Sequence, residues 1–267
     1  MLAMPFSSNE YKTAVPGNRN PFSSALKRSR LVFILRYIGI VLRTRRIALK
    51  GLYDTRAWAD SSLYILYLLE NAGARFTVSG LDNIRKSEKP IVFISNHMST
   101  LETMILPGLI APITDVTFVV KDTLVEHPLF GPVMRSRDPV TVARKNSRED
   151  LVKVMTEGSE ILGRGRSIVI FPQSTRRDIF NPAEFNTLGI KLALRNNATV
   201  IPIALRTDFW KNGKLVKDLG PLDRKAPVMI KFGEPINVSG SGKQEHNDIV
   251  RFISSCLDKW GSPVINI

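Results

Sequence analysis

Six short apolar runs, rich in β-branched residues, punctuate the chain from residue 91 onward and constrain its fold more than any other feature. They are Ile91–Ile94, Val116–Val120, Val140–Val142, Ile168–Phe171, Val200–Leu205 and Val228–Phe232. Each has the length and the Val/Ile content of a strand and is short for a helix. Helix-like stretches stand between them at Leu101–Leu109, Arg148–Leu162 and Leu188–Arg195. This alternation predicts an α/β domain with a mixed, largely parallel sheet flanked by helices. It also says where to look for chemistry, because such sheets carry reactive side chains in loops just beyond strand C-termini.

The region ahead of that alternation reads differently. The 267 residues carry a formal net charge of +14, and residues 1–60, with eleven Lys/Arg against three Asp/Glu, hold more than half of it. Eight basic residues and no acidic one fall between Lys27 and Lys50: Lys27, Arg28, Arg30, Arg36, Arg43, Arg45, Arg46 and Lys50. The apolar runs among them, Leu31–Leu35 and Tyr37–Leu42, fall short of the roughly 20 residues that span a bilayer. Arg36 between them makes spanning costlier still. Arg43, Arg45 and Arg46 follow where a signal peptide would place a small-residue cleavage site, so cleavage is not expected.

A helix lying in the membrane interface fits this segment, with its apolar face sunk and its Arg and Lys stems reaching headgroup phosphates. A second segment, Leu63–Leu69 with Tyr64 and Tyr67 after Trp58, carries aromatics suited to the same zone. Core helices with charged rims are the alternative for both. The expected organisation is a polar tail over 1–25, basic amphipathic N-terminal helices for membrane-interface binding over 26–74, and the α/β domain over 75–267. The partner implied by the charge is an anionic membrane surface and not a nucleic acid, since bulky aliphatics interleave the basic residues and no nucleic-acid signature occurs. The expected location is membrane-associated and monotopic, on the cytoplasmic face of the inner (plasma) membrane.

One cysteine, Cys256, excludes a disulfide framework or a cysteine-based zinc cluster within the chain. Three histidines (His97, His127 and His246) argue against a multi-histidine metal site. Neither a metal nor a cofactor is expected. His127, just before Pro128, reads as a surface or packing residue, and His246, in the polar stretch Ser239–Asp248, as a solvated one.

Directly after Ile91–Ile94 comes Ser95-Asn96-His97-Met98-Ser99-Thr100-Leu101-Glu102. A histidine in a polar loop at a strand end is well placed to act as a general base near neutral pH. Glu102 follows five residues later. On a continuous helix that offset separates the two side chains by about 140°. A direct pair therefore requires His97 in the loop and Glu102 in the first helical turn, where a carboxylate could hold the imidazole tautomer. Ser99-x-x-Glu102 is also a capping box, in which the glutamate would do no more than satisfy a helix N-terminus.

A second strand end carries Phe171-Pro172-Gln173-Ser174-Thr175-Arg176-Arg177. Adjacent arginines in a polar turn suit capture of phosphate or carboxylate, because guanidinium groups fork to anionic oxygens. A third segment runs from Lys121 through Arg135 and Arg137 to Val140-Thr-Val-Ala-Arg144 and again puts positive charge near a strand end.

Taken together, His97-x-x-x-x-Glu102, Arg144, Phe171-Pro172-x-x-Thr175-Arg176 and Val200-Ile-Pro202-Ile resemble, in order and approximate spacing, the four blocks of the glycerolipid acyltransferases. The branch resembled is that of the 1-acylglycerol-3-phosphate acyltransferases, over roughly residues 75–235. The resemblance implies that His97 deprotonates an acceptor hydroxyl, with Glu102 orienting it. That hydroxyl attacks the thioester of an acyl-CoA or acyl carrier protein. It implies that Lys121, Arg144 and Arg176, with Gln173, Ser174 and Thr175 in the same loop, bind a lysophospholipid acceptor, lysophosphatidic acid in the first instance. The block around Pro202 resembles the wall of the acyl site. Two departures stand out: Glu102 replaces the usual aspartate, and Gln173-Ser174 replaces the usual Glu-Gly. The second removes a charge beside the expected phosphate site and opens the acceptor to other lysolipids.

Overall fold

The computed structural model describes residues 8–14, 29–173, 175–213 and 217–265. Eight strands among them form one sheet: β1 (Glu10–Lys12), β2 (Phe76–Ser79), β3 (Ile91–Ser95), β4 (Val116–Lys121), β5 (Val140–Val142), β6 (Ser167–Ile170), β7 (Thr199–Arg206) and β8 (Val228–Phe232). Their order across the sheet is β1-β2-β8-β7-β3-β6-β4-β5. The β2–β8, β7–β3, β3–β6, β6–β4 and β4–β5 pairs are parallel, while β1–β2 and β7–β8 are antiparallel. The helices are α1 (Arg30–Leu49), α2 (Thr55–Asn71), α3 (Leu81–Lys86), α4 (Thr100–Ile110), α5 (Asp122–Glu126), α6 (Gly131–Arg135), α7 (Ser147–Gly163), α8 (Leu188–Arg195) and α9 (Lys243–Lys259).

Both faces of the sheet are covered. Along β3, Ile91 and Phe93 enter a core shared with α1, α2 and α4, while Val92 and Ile94 enter a second core shared with α7, α8 and α9. A strand buried on both sides has no polar face, which is why the central strands read as continuous apolar runs and not as alternation. α8 comes unusually close to β3 because it carries Gly189 there; a Cβ at that position would lie 2.7 Å from the Ile94 side chain. The parallel strands β3 and β6 end side by side, with Ile94 opposite Ile170, so the loops after them emerge as neighbours, while β7, opposite β3 at Pro202, runs on to Arg206.

The strands and helices expected from the sequence form within a residue or two, except that Phe171 lies just beyond β6. Other expectations change. Glu10–Lys12, in the expected tail, is an edge strand; Tyr11 and Thr13 both donate hydroxyls to Glu70 of α2, at 2.7 and 2.6 Å. His246 lies in the first turn of α9, half-buried, with its ring 6.0 Å from that of Phe185. His127 is exposed, and its Nδ1 accepts from the Leu129 N–H at 3.2 Å.

The two N-terminal helices part company. Ser62, Leu63, Leu66 and Leu69 of α2 are buried, and the Ser62 hydroxyl donates to the Met104 carbonyl of α4. This makes α2 a core helix on which Tyr64 is the one well-exposed large apolar side chain, where an interfacial helix was expected. α1 has two apolar faces. Phe33, Tyr37, Val41 and Thr44 recur at helical spacing and are buried, while Leu31, Leu35, Ile38, Leu42 and Leu49 recur at the same spacing on an exposed face. No helix among the described residues is long and apolar enough to cross a membrane. Because α1 and α2 share one core with the sheet, they are part of the same body and not a detachable module.

Trp210, in the segment after β7 and 1% exposed, pins α1 to that body. The rings of Phe33 and Tyr37 meet it edge-on at 5.0 and 5.1 Å. Trp210→Ala should therefore cost about 3–5 kcal/mol of unfolding free energy, read by denaturant titration. A loss below about 1 kcal/mol would mean that α1 is anchored by other contacts.

Candidate active site

β3 delivers its last residues into a polar pocket at the sheet's edge. The Ser95 hydroxyl donates to the Ile203 carbonyl at 2.9 Å. The Asn96 amide spans the seam to β7, donating to the Leu205 carbonyl at 2.8 Å and accepting its N–H at 2.9 Å. The chain then turns through His97 to Ser99, the N-cap of α4.

Glu102 sits in the first turn of α4 and is fully buried. Its Oε1 lies 2.8 Å from His97 Nδ1 and accepts the N–H groups of Met98 and Ser99 at 2.6 and 2.9 Å. Its Oε2 accepts from the Ser99 N–H at 3.0 Å and from the Thr207 hydroxyl. The two readings of Glu102 that the spacing left open are thus one arrangement: the capping carboxylate also holds the imidazole. Burial acts to raise its pKa, but the hydrogen bond and charge of His97, the Thr207 hydroxyl and the Ser99 N–H outweigh it and keep the carboxyl below its ordinary range. An ionised carboxylate can only accept, so the proton of the imidazole resides on Nδ1 and the lone pair of Nε2 is left available.

The loop after β6 secures His97 from the other side. Its backbone N–H donates to Gln173 Oε1 at 2.8 Å, and its carbonyl accepts from the Arg177 N–H at 2.9 Å. Its ring stacks on Phe171 at 4.3 Å between centroids. Gln173 is 2% exposed and does not line the cavity, so its place is under the histidine and not on a substrate. A backbone donor explains an amide here, because the Oε1 of glutamine meets that N–H without a second buried charge beside Glu102. Ser174 lies outside the described residues.

A cavity of about 630 Å³ opens at His97. Thr175, Arg176, Arg144, Lys121 and Thr100 stand on its polar side. A run of rings forms its wall inward: Phe171, then Phe118 at 6.2 Å, then Trp58 at 5.6 Å, with the Arg137 guanidinium 5.1 Å above the Trp58 ring. Ile40 and Val41 of α1 line it too. Arg144 adopts a left-handed backbone, φ 56°, with the N–H groups of Ala143 and Arg144 both held by Asp150 at 2.9 Å. Its guanidinium is depressed first by burial, raised by Asp150 and lowered again by Arg176, so the two arginines sense one another.

Three sequence-based placements are revised. Arg177 points out of the site and pairs with Glu184 at 3.1 Å, leaving Arg176 as the member of the pair that faces the cavity. Arg137 sits with Trp58 and bonds Thr55 at 2.8 Å instead of joining the strand-end cations. Pro202 is buried in mid-sheet opposite Ile94 and does not line the cavity, so the block around it shapes β7 and not the acyl wall. Sequence reasoning passed over Thr207 and Asp218. Thr207 directly follows β7, the position where the strand-end rule would have sought it; Asp218, in a short turn far from any strand end, gave no signal.

A carboxyl held below its ordinary pKa binds its proton more readily in the unfolded chain. The stability it contributes is complete above the unfolded value of about 4.3 and is lost as pH falls through the folded one. The stability advantage of the native protein over Glu102→Gln should therefore shrink below about pH 4.3, measured by urea unfolding across that range. A constant difference would show that the Glu102 carboxyl is not depressed.

Comparison with known proteins agrees with this geometry. The sequence model of the acyltransferase family matches residues 75–206. The chain is 31% identical over 186 residues to the 1-acyl-sn-glycerol-3-phosphate acyltransferase of Pseudomonas aeruginosa, covering 69% of this chain and 67% of that one. It is 27% identical over 153 residues to a chloroplastic 1-acyl-sn-glycerol-3-phosphate acyltransferase of Arabidopsis thaliana, covering 57% of this chain and 40% of that protein. Its fold matches the crystal structure of the 1-acyl-sn-glycerophosphate acyltransferase PlsC from Thermotoga maritima with a TM-score of 0.64 at 18% identity, over 92% of this chain and 99% of that one. The histidine–carboxylate pair, its cavity and these likenesses converge on one conclusion: the chain belongs to the acyltransferase family.

Proposed function

We propose that this chain transfers a fatty acyl group from an acyl thioester, carried by coenzyme A or acyl carrier protein, to the sn-2 hydroxyl of lysophosphatidic acid, giving phosphatidic acid. The observation that carries the reading is the His97–Glu102 pair at the mouth of an apolar cavity whose polar side bears Arg144 and Arg176. The names of the relatives point to the same acceptor.

In this reading Nε2 of His97 takes the acceptor's hydroxyl proton as the oxygen attacks the thioester carbonyl. Glu102 stabilises the imidazolium that forms. The tetrahedral intermediate collapses with cleavage of the C–S bond, and the proton passes from His97 to the departing sulfur. The apolar wall from Phe171 to Trp58 suits the acyl chain, and Arg144, Arg176 and Lys121 suit the phosphate. This reading implies no acyl-enzyme, and Cys256, the one cysteine, is buried in the core on the far face of the sheet, where burial pushes its thiol up.

The acceptor lives in a bilayer, and α1 supports docking there. Its outer face offers Leu31, Leu35, Ile38 and Leu42, flanked by Arg36, Arg43 and Arg46, while its inner face lines the cavity. We assign the chain a monotopic seat on an anionic membrane surface, at the cytoplasmic face of the inner membrane where acyl thioesters are available. In this assignment α1 is the membrane-binding element of a body that is otherwise the catalytic domain.

Acyl transfer by detergent-purified protein, with labelled acyl-CoA and acyl carrier protein as donors and a panel of lysolipid acceptors, tests the chemistry. Lysophosphatidic acid should be the preferred acceptor, and His97→Ala should lower the rate about 10²- to 10⁴-fold. An equally active His97→Ala, or transfer confined to another lysolipid, would overturn the assignment. Leu35→Glu with Leu42→Glu should abolish flotation with vesicles containing anionic lipid, and unchanged flotation would place the membrane contact elsewhere.

A further inference from the structure

Arg176, the cation that the proposed reaction sets against the acceptor phosphate, is already gripped by a carboxylate that no family block contains. Its Nη1 donates to Asp218 Oδ1 at 2.8 Å, and the Thr100 hydroxyl donates to the same oxygen at 2.6 Å. Asp218 lies in the single turn Lys217–Leu219, between β7 and β8. The same turn is held from outside, where Arg30 at the start of α1 donates to the Leu219 carbonyl at 2.9 Å. Asp218, Thr100, Arg176, Arg144 and His97 all line the one cavity.

Asp218 thereby fastens two loops together. Arg176 belongs to the loop after β6, and Thr100 is the first residue of α4, the helix whose first turn carries Glu102. The distance between Arg176 and His97 decides whether a bound phosphate leaves the neighbouring hydroxyl within reach of Nε2, and errors of about 1 Å in such placements are costly. A guanidinium is planar, so pinning Nη1 fixes the directions of its other donors. The Nε–Nη2 edge remains for a two-point contact with phosphate oxygens.

We propose that Asp218 is a positioning residue of the acceptor site: by holding Arg176 through Nη1 and tying it to Thr100, it presents the remaining edge of the guanidinium to a phosphate monoester beside His97. The proposal rests on the reading of Arg176 as a phosphate ligand given above. The obvious objection is charge, since a carboxylate beside the site repels an anion. Three guanidinium groups, those of Arg137, Arg144 and Arg176, and the Lys121 and Lys145 ammonium groups line the same cavity, so the site stays net positive with Asp218 in it. The opposite role, a carboxylate that competes with phosphate for Arg176, predicts the opposite sign for every measurement below.

The test compares the native protein with Asp218→Asn and Asp218→Ala. With lysophosphatidic acid as acceptor, Asp218→Ala should raise its KM about tenfold while the KM of the thioester donor stays unchanged. Asp218→Asn keeps an oxygen that can accept from Thr100 and Arg176 and should lose less. Thermal melts of both variants check that the fold persists. In parallel, calorimetric titration with glycerol 3-phosphate reads the anion site without any acyl transfer, and binding should weaken in the same order. A lower KM or tighter binding in Asp218→Asn would overturn the proposal in favour of competition. Unchanged acceptor KM with a lowered melting temperature would reduce Asp218 to a structural tie and overturn it as well. Absence of glycerol 3-phosphate binding to the native protein would also overturn it. A native protein that binds glycerol 3-phosphate, and binds it less well without Asp218, yet transfers no acyl group to lysophosphatidic acid, would sink the proposed function and leave this inference standing.

Discussion

Everything at the reactive end of the sheet is arranged around one buried charge. A lone carboxylate with no exposure would cost several kcal/mol to bury, and the protein offsets this by surrounding Glu102 with donors. The N–H groups of Met98 and Ser99, the hydroxyl of Thr207 and Nδ1 of His97 all converge on it. Each donor constrains a different piece of chain. The two N–H groups set the turn out of β3, Thr207 ties in the end of β7, and the imidazole is left with one orientation and one tautomer. A capping interaction that elsewhere only starts a helix here also sets the direction of a base, so helix α4 and the candidate catalytic histidine stand or fall together.

The loop after β6 closes the arrangement from the other flank. Gln173 and Arg177 hold the backbone of His97 at its N–H and carbonyl, Phe171 stacks on its ring, and Arg176 faces the cavity. The parallel register of β3 and β6 brings these two loops together, since neighbouring parallel strands end on the same edge. The cavity then extends between the sheet and α1, so the helix with an exposed apolar face also supplies cavity wall. One helix can serve both purposes because its two apolar stripes lie on opposite sides of the cylinder.

Much of this was legible in the residues. The apolar runs located the central strands because burial on both faces leaves no polar positions to confuse the pattern. His97 and Glu102 were found because a histidine beyond a strand and a glutamate three residues after a serine are local patterns. The elements missed were those whose identity is set from a distance. Glu10–Lys12 is a strand because β2 and Glu70 meet it, not because Glu-Tyr-Lys favours one. The tyrosine-bearing segment of α2 reads as interfacial until α4 is seen packed along it. Along the chain Gln173 is adjacent to the arginine turn and reads as a phosphate neighbour, whereas its side chain turns under the backbone of His97.

The residues alone establish the class of fold, the strand ends at which chemistry could sit, the histidine and carboxylate, and the basic apolar segment ahead of them. These are matters of periodicity, local spacing and composition, and they survive without knowledge of distant neighbours. Packing in three dimensions settles which cations share a cavity, which face of α1 is covered, that Glu102 caps and orients at once, and that Asp218 reaches Arg176 from 42 positions along the chain. The cause is the same for each: a side chain's role depends on the partners that compensate its burial or charge, and those partners are brought by the sheet register from parts of the chain that carry no local sign of the meeting.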